Sequence, residues 1–192
     1  MKLNIVTIPN SILRMKSKRI GYVDDSIRKL AEDMAETASA WDRESEIGAA
    51  IAAIQVGEPI KMTAVRNNFD DYRDKTFVTF INPEIVKASP QLITDIEGCL
   101  SVPNIYGRVA RHAKIKVKAY DLDMNEIRLS LEGFPARLFQ HELDHMQGVI
   151  FLDHVKDSHD LLEIDAEGKL YPLSASKAAK LSKDSKPHDH EH

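Results

Sequence analysis

An α+β fold in a single domain, with a central helix packed against antiparallel β-strands, is predicted by three features of this sequence. A helical repeat of apolar residues lies near the N-terminus. Short β-branched segments, separated by Asn, Asp, Pro and Gly, fill the middle. A second helical segment follows, with Pro135 in its first turn and Gly148 at its end. At 192 residues, 43% of them hydrophobic, the chain is long enough for one well-buried domain and too short for two ordinary ones.

Taken in order, Asp24-Asp25-Ser26 supplies N-caps for a helix whose apolar residues fall at Ile27, Leu30, Met34, Ala38 and Trp41, a spacing that reads as core packing. Strands are expected around 60–65, 77–81, 115–120 and 127–131. Lys114-Ile115-Lys116-Val117-Lys118 alternates most clearly, its lysines forming a solvated face. Between these lies Glu97-Gly98-Cys99-Leu100-Ser101-Val102-Pro103, which glycine and proline keep from being helical throughout, and which is read as a strand-edge segment. Beyond Val155, residues 161–173 are read as a hairpin about Glu167-Gly168. The catalytic domain is expected over 1–173. The polar, lysine-rich stretch 174–192, ending in His188-Asp189-His190-Glu191-His192, is expected to be a disordered, solvated tail, because charge without apolar anchors cannot bury enough surface to order itself.

Composition excludes several classes. A net charge of −4 and a pI near 6.1 give no footprint for nucleic acid. A single cysteine rules out an internal disulfide framework and suits a reducing compartment. The N-terminal residues lack the uninterrupted apolar core of a secretion signal, and no run reaches the length of a membrane span, so a cytoplasmic location is expected.

The chemistry is concentrated in His141-Glu142-Leu143-Asp144-His145. On a helix, i and i+4 share a face, so both imidazoles can reach one divalent cation while Glu142 stands beside it without binding. Such a cation, held by three protein ligands, leaves a position for water and brings its pKa down to about 7. Glu142 is then placed to move that water's proton. Cys99 is the one cysteine that can complete the ligand set, since a thiolate suits a soft or borderline cation. Plainer readings exist: solvated histidines on a polar helix face, and a small buried thiol.

Three motifs bear on the choice. Gln140 to Gly148, reading Gln-His-Glu-Leu-Asp-His-Met-Gln-Gly, and Glu97-Gly98-Cys99-Leu100-Ser101 resemble the third and second signature motifs of the peptide deformylases. Gly48-Ala49-Ala50-Ile51-Ala52-Ala53-Ile54-Gln55 resembles the first, with Ala50 and Ile54 where that family usually has Gly and Pro. All three occur in the family's order, within a likeness running from about Ile5 to about Val155. The resemblance implies removal of the formyl group from N-terminal formyl-methionine, with release of formate. It implies Cys99, His141 and His145 as metal ligands and Glu142 as general acid/base. The Gln55 side-chain amide and the Leu100 backbone N–H are implied as donors to the oxyanion, a developing charge for which one preorganised donor is worth about 3 to 4 kcal/mol.

The family also implies one divalent ion, iron(II) by preference, with zinc, nickel or cobalt able to use the same ligands. Its substrates are N-formylmethionyl nascent peptides met near the ribosome exit; the sequence itself carries no direct nucleic-acid signal, and no membrane is expected. Gly48 and Ala50 are expected along the substrate groove. Phe134 and Leu138 are candidates for the methionine pocket, with Arg137 nearby, although both apolar residues equally suit a packed core. Two alternatives stand beside this reading: a non-catalytic relative that binds peptide N-termini, and a zinc peptidase with the His-Glu-x-x-His motif. The second leaves Gln55 and the Cys99 segment unexplained. His112, His154 and His159 have no partner at ligand spacing and are read as structural or exposed.

Overall fold

The computed structural model describes residues 1–41, 48–69, 71 and 73–185. Helix α1 (Asp25–Ser39) opens where expected: the Asp24 side chain accepts from the Ile27 N–H at 2.9 Å, a cap worth about 1 kcal/mol. Its Met34 and Ala38 are buried against Ile51, Met62, Ala64 and Ile81. Trp41 lies just past the helix end.

Five antiparallel strands make the larger sheet: β1 (Ala50–Ala52), β2 (Met62–Arg66), β3 (Phe77–Ala88), β6 (Lys114–Tyr120) and β7 (Glu126–Glu132), in the order β1-β2-β3-β6-β7. In β6 the apolar Ile115, Val117 and Ala119 point inward while Lys114 and Lys116 are exposed, as the alternation predicts. A second sheet, order β4-β5-β8-β9, joins β4 (Leu92–Cys99), β5 (Val102–His112), β8 (Leu161–Ile164) and β9 (Leu170–Pro172). The β8–β9 pair is the hairpin expected around Gly168, which takes φ 80° in the turn. The long β4–β5 ladder escapes a periodicity reading, because most of β4 is solvent-exposed and β5 is interrupted by Pro103, Gly107 and several charges.

Helix α2 (Gly133–His145) lies between the sheets. Ala136 and Phe139 pack on the five-stranded sheet, where the Phe139 ring meets Phe80 edge-on with centroids 5.1 Å apart. Gly148 closes the segment at φ 74°, and a Cβ there would lie 2.3 Å from the Arg14 carbonyl oxygen, so both backbone conformation and space require glycine. The result is the single α+β domain with a central helix that the sequence predicts.

One expectation is corrected. Ala175–Ser185 form a third helix, α3, where a disordered tail was expected from Ser174. The alanines, lysines and leucine there are good helix formers, and the narrow stripe made by Ala178 and Leu181 meets Leu161 and Leu173. The histidine-rich end, His188 to His192, lies outside the described residues. Among the described residues no helix is long and apolar enough to cross a membrane.

Candidate active site

The face of α2 turned from the larger sheet carries Arg137, His141 and His145, spaced i, i+4, i+8 and all buried. Cys99 reaches them from the end of β4. Cys99 pairs with Val102 across a tight turn, yet Gly98 pairs with Tyr106, so residues 103–105 bulge out of the ladder, with Asn104 at φ 63°. The bulge interrupts the ladder at the strand end that carries Cys99. It leaves the Cys99 Sγ 3.2 Å from His145 Nε2, which lies 3.2 Å from His141 Nε2.

All three ligand atoms lie within 4.8 Å of one another. Two imidazole nitrogens and a sulfur converging in a buried spot form a donor set that one borderline cation satisfies together. The group is thus able to hold a metal ion.

Behind His141 the arrangement is ionic. Glu97 Oε2 accepts from His141 Nδ1 at 3.0 Å, which turns Nε2 toward Cys99. The same carboxylate receives Arg111 through two bonds of 2.9 Å and Arg137 at 2.8 Å. Arg111 also reaches Asp144, which is bonded to His154 at 2.7 Å. Burial opposes ionisation of Glu97, but His141 and the guanidinium of Arg111 more than reverse it and hold its pKa well below the usual carboxylate range. Burial likewise pushes the Cys99 thiol up, and the neighbouring imidazoles overcome this, leaving it at about 5. Burial also disfavours charge on His141, yet the Cys99 sulfur and Glu97 raise its pKa well above the ordinary value. Even metal-free, the pocket therefore favours a thiolate.

Glu142 is buried beside these groups, with Oε2 3.2 Å from the Thr63 hydroxyl; burial raises its pKa, which brings it closer to the range in which a carboxyl can both take and give a proton. Gln55 is oriented by its own oxygen. Oε1 accepts from the Ala52 N–H at 2.9 Å, so Nε2 faces Ser101 Oγ at 3.1 Å and Cys99 Sγ at 3.5 Å, on the side where an anionic oxygen would form. A cleft of about 290 Å³ opens over this group; Gln55, Leu100 and Glu142 line it, as do Ala50, Phe134 and Leu138.

Gly48 is not among the lining residues. A Cβ there would lie 2.0 Å from the Ala38 carbonyl oxygen, so this glycine lets β1 approach the end of α1. Ala50 sits in β1 opposite Val65 without positive φ, so glycine is not needed there for its conformational freedom.

The matches to known proteins follow this geometry. The polypeptide deformylase family pattern matches residues 2–160. The chain belongs to this family. Peptide deformylase of Brucella suis is 38% identical over 173 residues, covering 90% of this chain and 95% of that protein. Rice peptide deformylase 1B, chloroplastic, is 37% identical over 166 residues, covering 86% of this chain and 59% of that protein. The crystal structure of Ehrlichia chaffeensis peptide deformylase in complex with actinonin superposes with a TM-score of 0.74 at 31% identity, covering 99% of each chain. The protein is accordingly a metal-dependent hydrolase of the deformylase type, and the zinc-peptidase alternative is set aside.

Sequence reasoning left Arg111 unassigned and gave Glu97 no role, and it placed Arg137 only near the methionine pocket. Arg137 is buried, bound to Glu97, to the Val109 carbonyl at 2.8 Å and to the Ile93 carbonyl at 2.6 Å. One signal was available: Arg137 stands four residues before His141, on the ligand face of α2.

Proposed function

We propose that this deformylase removes the formyl group from formyl-methionine at the N-terminus of nascent peptides through a metal ion held by Cys99, His141 and His145. The convergence of Sγ and two Nε2 atoms beneath an open cleft is the observation that supports it. When bound, the cation supplies Lewis acidity toward water and the formyl oxygen. Glu142 takes the attacking water's proton and returns it to the departing amine, a task suited to a buried carboxyl with a raised pKa. The Gln55 Nε2 and the Leu100 N–H steady the oxygen that becomes anionic as the formyl carbon turns tetrahedral. Glu97 keeps the His141 ring aimed at the ion. Ala50, Phe134 and Leu138 contact the substrate, while Gly48 supports the groove from behind. Residues 1–173 carry the catalytic domain.

Iron(II) is the proposed metal, with zinc, nickel or cobalt fitting the same donors, and the proposed setting is the cytoplasm near the ribosome exit, in keeping with the bacterial relatives. The test is formate release from formyl-Met-Ala-Ser by protein loaded with metal under reducing, anaerobic conditions, beside an unformylated internal peptide. Formate from the first and no cleavage of the second is expected; cleavage of the internal peptide alone would overturn the reading. Iron-loaded enzyme should lose activity in air faster than nickel-loaded enzyme. Equal rates would point away from iron oxidation.

A further inference from the structure

Strand β2 is buried along its whole length, and Met62, Ala64 and Val65 are the apolar residues such a strand calls for. Thr63 is not. It is fully buried among them, where a hydroxyl must find a partner. Two acceptors lie within reach: Thr63 Oγ1 is 3.0 Å from the Ile51 carbonyl oxygen of β1 and 3.2 Å from Oε2 of Glu142 on α2. A threonine hydroxyl carries one proton, so it donates to one of them at a time. Among the described residues Thr63 is the hydrogen-bonding partner of the Glu142 side chain; it engages Oε2 and leaves Oε1 to a residue that lines the cleft with nothing else bound to it. Across the ladder Thr63 faces Ala52, whose N–H fixes Gln55 Oε1, so the β1–β2 pair reaches both the oxyanion donor and the general base.

We propose that Thr63 is a positioning residue for Glu142, its hydroxyl holding Oε2 so that Oε1 meets the attacking water. With Glu142 ionised, the hydroxyl donates to Oε2, the stronger choice because that acceptor is charged. Once Oε1 has taken the water's proton, Oε2 no longer carries charge, and the hydroxyl turns to the Ile51 carbonyl. It therefore has an acceptor in both states, and no bond to threonine is made or broken apart from this hydrogen bond. The released carboxyl is then free of the bond that favoured its charged form, which suits it to hand the proton to the departing amine. The inference rests on the deformylase reading, in which Glu142 moves the water's proton. Without the hydroxyl, the buried carboxylate would have no hydrogen-bonding partner among the described residues to fix its angle.

The experiment compares Thr63→Val, Thr63→Ala and Thr63→Ser with the unmodified full chain, all nickel-loaded, in formate release from formyl-Met-Ala-Ser. In Thr63→Val and Thr63→Ala, kcat should fall about tenfold with KM within about twofold, the loss expected when a hydrogen bond to a charged group is removed. Thr63→Ser keeps the hydroxyl and should stay within about threefold of the unmodified enzyme. A role in packing alone gives the opposite order, because valine keeps the branched shape and serine does not. The infrared difference between each protein and its Glu142→Gln counterpart isolates the Glu142 carboxylate band. That band should shift in Thr63→Val and Thr63→Ala and stay in place in Thr63→Ser. Unchanged kcat in the variants lacking the hydroxyl, Thr63→Ser impaired as much as Thr63→Val, or a carboxylate band indifferent to the hydroxyl would overturn the role of Thr63. Absence of formate from the unmodified enzyme would instead overturn the deformylase reading on which it rests.

Discussion

Behind His141, Glu97 and Arg111 are packed out of water and joined to Arg137, Asp144 and His154 by bonds of fixed direction. Under α3, by contrast, Leu161, Leu173 and Ala178 meet through non-directional apolar contact, on the part of the chain that lies beyond the family match. The ionic region holds one side chain at one angle, whereas the apolar region only holds a helix against a hairpin. A site that must aim an imidazole nitrogen at an ion within a few tenths of an ångström needs the first kind of construction.

The comparison breaks most severely at Glu97. Glu97→Ala leaves two buried guanidinium groups short of their counter-charge and frees the His141 ring. Denaturant unfolding should show a loss of about 3 to 5 kcal/mol, and metal titration a weakening of about 10- to 100-fold. A variant that keeps both stability and metal affinity would mean that the network is incidental to the site.

Gly98→Ala probes the same region through shape. The added methyl must push the Tyr106 ring aside, and the available space is the cleft. A fall in kcat/KM of about tenfold, with metal content retained, is expected from a displacement that narrows the substrate path. Unchanged kinetics would show that the ring yields in another direction.

At the other end, Leu181→Ser removes one partly buried contact beneath α3. It should cost about 1 kcal/mol, read as faster amide exchange in α3, with formate release within about twofold of the unmodified enzyme. A large loss of turnover would mean that the two regions are coupled after all.

The two regions also differ in how far the sequence disclosed them. The residues to which the proposed mechanism assigns the chemistry stood out in the sequence because metal ligation and proton transfer demand particular residue types at fixed spacing, as in His141-Glu142-x-x-His145. Helix α1 and strand β6 were legible through apolar periodicity. The ionic scaffold was not. Glu97, Arg111 and Arg137 come from β4, β5 and α2, and in a single sequence each resembles an ordinary surface charge until the fold brings them together. The packing at Gly48 was hidden for a related reason: its close approach to Ala38 is a tertiary contact that no local pattern announces. Helix α3 was missed because its apolar stripe is only wide enough to be stable against a neighbour.

The proposed mechanism divides metal binding and proton transfer between the Cys99–His141–His145 group and Glu142. Metal stoichiometry and formate release, measured on the same preparation of Glu142→Gln, test it most directly. The variant keeps the shape of the side chain and loses its basicity. Full metal occupancy with turnover lowered by about 10²-fold or more is expected. Loss of the metal, or turnover close to that of the unmodified enzyme, would contradict it.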